Sequence, residues 1–188
     1  VLAAEGLPVA TLEDVRAFVG HGHRALIVRA SAVHGVHHLE PKLDDLTEEY
    51  VRVYASDIAA RSQLFPGVAT TLKTFVAAGA TLCVCTNKRT DLSNQLLAAM
   101  NLAPYFAAVM GADSVRNRKP HPDHFIAAVR AAKGDPARAM MIGDSAADVG
   151  SARAANAPVV VYAHGYTDTA PELLSADLCV VSDSDMQD

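Results

Sequence analysis

Three short stretches carry residues whose types and spacing can do chemistry. In Gly143-Asp144-Ser145-Ala146-Ala147-Asp148, two carboxylates stand four residues apart where a helix opens, and at that spacing they share one face. Two carboxylates within reach of each other repel unless a cation lies between them, and hard oxygen ligands suit Mg2+. The plainer alternative is a capping aspartate with a favourable negative charge at a helix N-terminus. Thr86-Asn87-Lys88 offers a hydroxyl, an amide and free backbone N–H groups directly after the apolar run "TLCVC". That is an anion cradle or, more plainly, a helix cap. The connection "GADSVRNRKPHP" is long for its kind and gathers Arg116, Arg118, Lys119 and His121 in a chain that is acidic overall. Pro120 biases Lys119 to an extended backbone, which would present its ammonium to a phosphate as a point charge, unless the loop is only solvated. Three such stretches, each after its own apolar run, make an Mg2+-assisted phosphate site the economical reading.

Those stretches need a frame that brings them to one edge. From Leu64 onward, short apolar runs alternate with helical patterns. Strands are expected at Thr81–Cys85, Ala107–Met110, Ala139–Ile142, Pro158–Tyr162 and Leu178–Val181. Helices are expected at Val68–Ala78, Thr90–Met100, Pro122–Ala132, Ala147–Ala155 and Pro171–Leu174. Such alternation implies right-handed βαβ units and a parallel sheet, with ligands beyond the carboxyl ends of the strands. The first part has a different texture, helical throughout. Thr11 with Asp14 forms an N-cap signal, and Asp44–Ser62 places Leu46, Tyr50, Val53, Tyr54 and Ile58 on one face. The expected organisation is a small helical module over residues 1–64 and an α/β unit over residues 65–188.

Composition narrows the function classes. Apolar residues make up 51% of the 188, alanine fills 35 positions and tryptophan is absent, which suits helices packed closely on a sheet. A net charge of −5 argues against a general nucleic-acid binder. No apolar run approaches the roughly 18 residues of a membrane span. Cys83, Cys85 and Cys179 lie in apolar runs and are expected to be buried thiols of a reducing compartment. The opening "VLAAEGLP" reads as the tail of a helix stopped by Gly6 and Pro8, with no targeting segment, so a cytoplasmic protein is expected.

The three stretches resemble motifs of the haloacid dehalogenase superfamily, in its phosphoglycolate-phosphatase-like branch. "VCTNK" resembles the second family motif, "RKPHPD" the third and "MIGDSAADVGSARAAN" the fourth, while the helical part with "FVGHGHRAL" resembles the mobile cap. The resemblance implies an open parallel Rossmann-like sheet carrying a helical cap. It further implies that Thr86 binds phosphate with Asn87 beside it and that Lys119 balances charge. Asp144 would be a direct Mg2+ ligand and Asp148 would hold the ion's water shell. The substrate would be a small phosphorylated metabolite, read by cap side chains for which His21, His23, Arg24 and the "VHGVHH" loop are candidates. Asn156 stands where the family usually has glycine, and Arg89 replaces a common proline.

The family's first motif, a strand ending in Asp-x-Asp-Gly-Thr that supplies the nucleophile and the general acid–base, has no counterpart before the helical part. Asp183 and Asp185 follow an apolar run but precede Met186 and Gln187 rather than Gly-Thr, so they read as a solvated tail. The chain is therefore expected to lack the nucleophile and to be inactive alone, with a non-catalytic binding protein and a metal-free haloacid dehalogenase as rivals. The Asp144/Asp148 pair argues against the dehalogenase.

Overall fold

The structure, a computed structural model, describes residues 1–7, 9–18, 20, 22–36, 42–165 and 169–181. His21, His37, His38, Asp183 and Asp185, named above, lie outside the described residues. A 3-10 turn at Leu2–Glu5 ends on Gly6 with φ 71°. Three helices follow, α1 (Leu12–Phe18), α2 (His23–Ala32) and α3 (Leu43–Ser56). Thr11 and Asp14 open α1 reciprocally: the Asp14 N–H donates to the Thr11 hydroxyl at 3.1 Å, and the Thr11 N–H donates to the Asp14 carboxylate at 2.9 Å. Ile27 of α2 packs on Leu43 and Leu46 of α3, with Tyr50 at the edge of this small apolar cluster.

Helix α3 is shorter than the apolar periodicity implies. It stops at Ser56, whose hydroxyl donates to the Val53 carbonyl at 2.8 Å, and Asp57 leaves helical geometry at φ −144°. A serine bonding back into the preceding turn competes with continuation of the ladder. Val53, expected on the buried face, is exposed.

The second part begins after Gly67, whose φ of 85° suits glycine and turns the chain into α4 (Val68–Ala77). It continues through β1 (Leu82–Cys85), α5 (Thr90–Ala99), β2 (Phe106–Met110), α6 (Pro122–Ala131), β3 (Met141–Gly143), α7 (Ala146–Ala154), β4 (Val159–Tyr162) and β5 (Leu178–Val180). The expected last helix is a single 3-10 turn at Pro171–Leu173. Asn156 sits just past α7 at φ 55°, a left-handed position that asparagine tolerates.

Among the described residues all strand pairing is parallel, and the strands form two groups, β1 with β2 and β3 with β4 with β5. Strand β4 is central in its group and apolar on both faces, as "VVVY" demands; Val159 and Val161 are fully buried. Around it Phe125 and Val129 of α6, Val149 and Ala152 of α7 and Met141 of β3 form the main core, and Cys83 and Cys85 of β1 pack against it. Burying each large apolar side chain here contributes about 1.5–3 kcal/mol. Cys179 departs from expectation: it lies on the outermost strand β5 and is exposed.

Candidate active site

The ends of β1 and β3 are joined by one buried cation. The Lys119 ammonium donates to the Cys85 carbonyl at 2.6 Å, where β1 ends, and to Asp148 Oδ1 at 2.6 Å, just beyond β3. Lys119 is held from behind as well. Its backbone N–H donates to His124 Nδ1 at 3.2 Å, and the other ring nitrogen of His124 meets the Met110 carbonyl at 3.0 Å. With Nδ1 accepting, the proton resides on Nε2, so His124 is a neutral ring spanning the end of β2 and the lysine loop. Its complete burial pushes its pKa below the ordinary histidine range, and the nearby Lys119 charge acts in the same direction. Sequence reasoning missed His124; its only signal was a histidine five residues after Lys119 on the first turn of α6.

Asp148 is the most heavily bonded carboxylate here. Its Oδ2 accepts from the Asp144 N–H at 3.2 Å, from the Ser145 N–H at 3.1 Å and from the Ser145 hydroxyl at 2.6 Å. Burial alone would raise its pKa, but the Lys119 charge and these hydrogen bonds outweigh it and hold the carboxyl below the usual range. The i, i+4 spacing thus brings Asp148 back over the Asp144 turn, where it closes a capping box for α7. Gly143 permits this approach, since a Cβ there would strike the Asp148 carboxylate. Asp144, at the strand end, lies against Gly165, where a Cβ would strike its side chain.

Thr86 prolongs the β1–β2 pairing through its N–H, which donates to the Met110 carbonyl at 3.0 Å. Its hydroxyl accepts from the Lys88 N–H at 3.1 Å and keeps its own proton for a further acceptor. Asn87 does something the spacing did not announce. Its amide Nδ2 donates to the Lys119 carbonyl and to the Gly20 carbonyl, each at 3.1 Å, so it braces the lysine loop and the helical part together. Its Oδ1 is buried and meets no hydrogen-bond partner among the described residues.

The other basic residues of the long connection do not join Lys119. His121 caps α6 and stands 3.3 Å from Asp123, and the Arg118 guanidinium lies against Gly22 at the start of α2. Of the helical-part candidates, Arg24 makes an exposed ion pair with Asp44 at 3.2 Å, while His23 stacks near Tyr50 and Tyr54.

The donor set fits a hard cation in the way Mg2+ is usually bound, by one or two carboxylates with water and substrate oxygens completing the shell. Asp144 is the carboxylate that directly follows β3, and Asp148 stands behind it with its oxygens bonded to Lys119, Asp144 and Ser145. Among the described residues no three His, Cys, Asp or Glu side chains gather as a protein-only metal cage. Cys85, which ends β1, is unsuited to be a thiol nucleophile here: burial pushes its thiol up to about 12.

Comparisons with known proteins bear on the family of the chain. The family model for haloacid dehalogenase-like hydrolases matches residues 1–156. A phosphoglycolate phosphatase of Caulobacter vibrioides is 45% identical over 182 residues, covering 97% of this chain and 77% of that protein. One from Mesorhizobium japonicum is 40% identical over 167 residues, covering 89% and 74%. The crystal structure of a Haemophilus somnus protein, named a predicted phosphoglycolate phosphatase, superimposes with a TM-score of 0.92 at 26% identity, covering 99% of this chain and 85% of that one. No helix among the described residues is long and apolar enough to cross a membrane.

Proposed function

The chain belongs to the haloacid dehalogenase-like hydrolases, and from that membership we propose that its site serves hydrolysis of a small phosphomonoester, 2-phosphoglycolate, with Mg2+ as the metal. The observation that carries the reading is the Lys119 ammonium fixed between the carbonyl of Cys85, the residue before Thr86, and Asp148, whose other oxygen accepts from the Asp144 N–H. A buried, immobilised cation at the junction of two strand ends is preorganised for a dianionic phosphate, because it needs no reorientation as charge shifts during transfer. Thr86, whose hydroxyl keeps its proton for a further acceptor, orients the phosphate oxygens. Asp144 would hold Mg2+ directly, and Asp148 keeps both Lys119 and the Asp144 backbone in register. Mg2+ bound there supplies neutralisation of the transferring phosphoryl group. Residues 1–64 act in this reading as a cap, with residues 65–188 as the catalytic unit, in the cytoplasm.

The nucleophile is the part these residues do not provide. Among the described residues, Asp148 is wholly committed, Asp113 accepts from Thr90, and Asp91 pairs with Arg89. Strands β1 and β3 each have one strand neighbour among the described residues, which leaves each with an edge to pair. A parallel strand inserted against those edges would bring a terminal carboxylate to the same end as Thr86, Lys119 and Asp144. The 188 residues alone then bind phosphate without turning it over.

The test compares Mg2+-dependent phosphate release from 2-phosphoglycolate and from p-nitrophenyl phosphate. One sample is the 188-residue chain and the other is the chain joined to an N-terminal strand ending in Asp-x-Asp-Gly-Thr. Turnover only in the second is expected. Comparable turnover by the first refutes the missing nucleophile, and inactivity of both overturns the phosphatase reading.

A further inference from the structure

The turn after β1 carries a second cation, Lys88. The Lys88 ammonium donates to the Tyr54 hydroxyl at 2.7 Å and lies 4.2 Å from the centre of the same ring, so a residue of α3 both bonds and supports it. Tyr54 stacks on Tyr50 with centroids 6.1 Å apart, and His23 stands 5.4 Å from Tyr50 and 6.4 Å from Tyr54. One wall is thus built from α2, α3 and the loop that holds Thr86.

Lys88 is half-buried, yet among the described residues no carboxylate lies within ion-pair distance of its ammonium. Its neighbour Arg89 differs, being paired to Asp91 at 2.9 Å. An ammonium has three protons to donate, and a phenol with its ring face offers an orienting contact but no opposite charge. A partly desolvated charge without a counter-ion is costly, so the crevice favours an anion. Burial, and after it the charges of Lys88 and Arg89, hold the neighbouring His23 ring below its ordinary pKa, with Asp91 acting against them.

We propose that Lys88, supported by Tyr54 and His23, reads a second anionic group on the substrate, the carboxylate of a small phosphorylated acid whose phosphate sits at Thr86 and Lys119. This assignment rests on the phosphatase reading above. Lys88 follows Thr86 by two residues, so their Cα atoms lie within about 7 Å. Two anion sites on one short turn suit a two-carbon acid, and a neutral ester fills only one of them. Lys88 is on this view a specificity-determining residue, and the ring of Tyr54 keeps its long side chain from sampling other directions.

The rival explanation is a plain clasp, in which Lys88 and Asn87 merely fasten the helical part to the α/β unit. Calorimetry on the 188-residue chain with Mg2+ separates the two, using inorganic phosphate, ethyl phosphate and 2-phosphoglycolate as probes. The expected result is a preference for 2-phosphoglycolate over ethyl phosphate. Lys88→Met should cut 2-phosphoglycolate affinity about tenfold or more and ethyl phosphate affinity far less, as loss of one charged hydrogen bond implies. Lys88→Arg should restore most of the preference. Lys88→Gln, which can still donate to Tyr54 but has no charge, should behave like Lys88→Met and serves if the methionine variant does not fold. Equal losses for all three probes, or an unchanged preference, overturn the assignment and leave the clasp. Failure of the unmodified chain to bind inorganic phosphate overturns the phosphatase reading and this inference with it.

Discussion

Asp144 and Asp148 carry the same functional group, and on the proposed reading their different surroundings would give them different duties. Asp144→Asn should abolish most Mg2+ affinity while leaving the fold intact, because it removes one charged oxygen donor at the strand end. Asp148→Asn should leave the Lys119 ammonium buried without its counter-charge, a loss of about 3–5 kcal/mol. Chemical denaturation of both variants, alongside Mg2+ titration calorimetry, reads the two outcomes independently. The roles are misassigned if Asp144→Asn proves the less stable protein. His124 adds a pH dependence of its own. Its pKa is lowered in the fold, so between that lowered value and the ordinary 6.5 the unfolded chain binds more protons. The stability it contributes is full above about pH 6.5 and falls as the pH drops through that window. Protonating Nδ1 would also expel the Lys119 N–H. Urea midpoints at pH 7.5 and 5.5 should therefore differ in favour of pH 7.5, and replacing His124 with glutamine should shrink the difference.

At the scale of elements, the helix caps link sequence to site. Ser145 gives Asp148 two of its hydrogen bonds, one from the backbone and one from the hydroxyl. Ser145→Ala removes the second and should cost about 1 kcal/mol, read from thermal unfolding; an unchanged midpoint would mean that α7 is capped by other means. Thr86, Lys119, Asp144 and Asp148 were legible because each follows an apolar run of strand length, and a parallel sheet sends all such residues to one edge. The strand positions themselves came out within two residues for the same reason. What stayed hidden depends on contacts distant in the chain. Nothing local to Lys88 announces Tyr54, which precedes it by 34 residues. Nor does "TNK" announce that the Asn87 amide bridges the Gly20 and Lys119 carbonyls. The early end of α3 was hidden differently: apolar spacing continued to Ile58, and the competing bond from Ser56 to Val53 ended the helix before it.

Among the described residues the molecule holds two apolar clusters of unequal size, and the turn after β1 is one place where their elements are tied together. The helical part relies on Ile27, Leu43 and Leu46, and the α/β unit on a core centred on β4. Residues 86–88 connect them through Asn87 and Lys88, so an anion bound at Thr86 acts on the same turn that fastens the helices. The divided sheet has a consequence of another kind, for how the chain behaves in company. Among the described residues β1 and β3 each leave one edge unpaired, and Met140 and Ile142 are exposed beside the second of them. Such edges recruit strands from any neighbour, and protein edges lacking charges or prolines are the ones that do so most readily. The isolated chain should therefore be colloidally unstable, with sedimentation velocity shifting to larger species as concentration rises. Ile142→Lys, which places a charge beside that edge, should hold the chain monomeric. A single sedimenting species across the same range for the unmodified chain would mean that the two edges are already shielded from one another's partners.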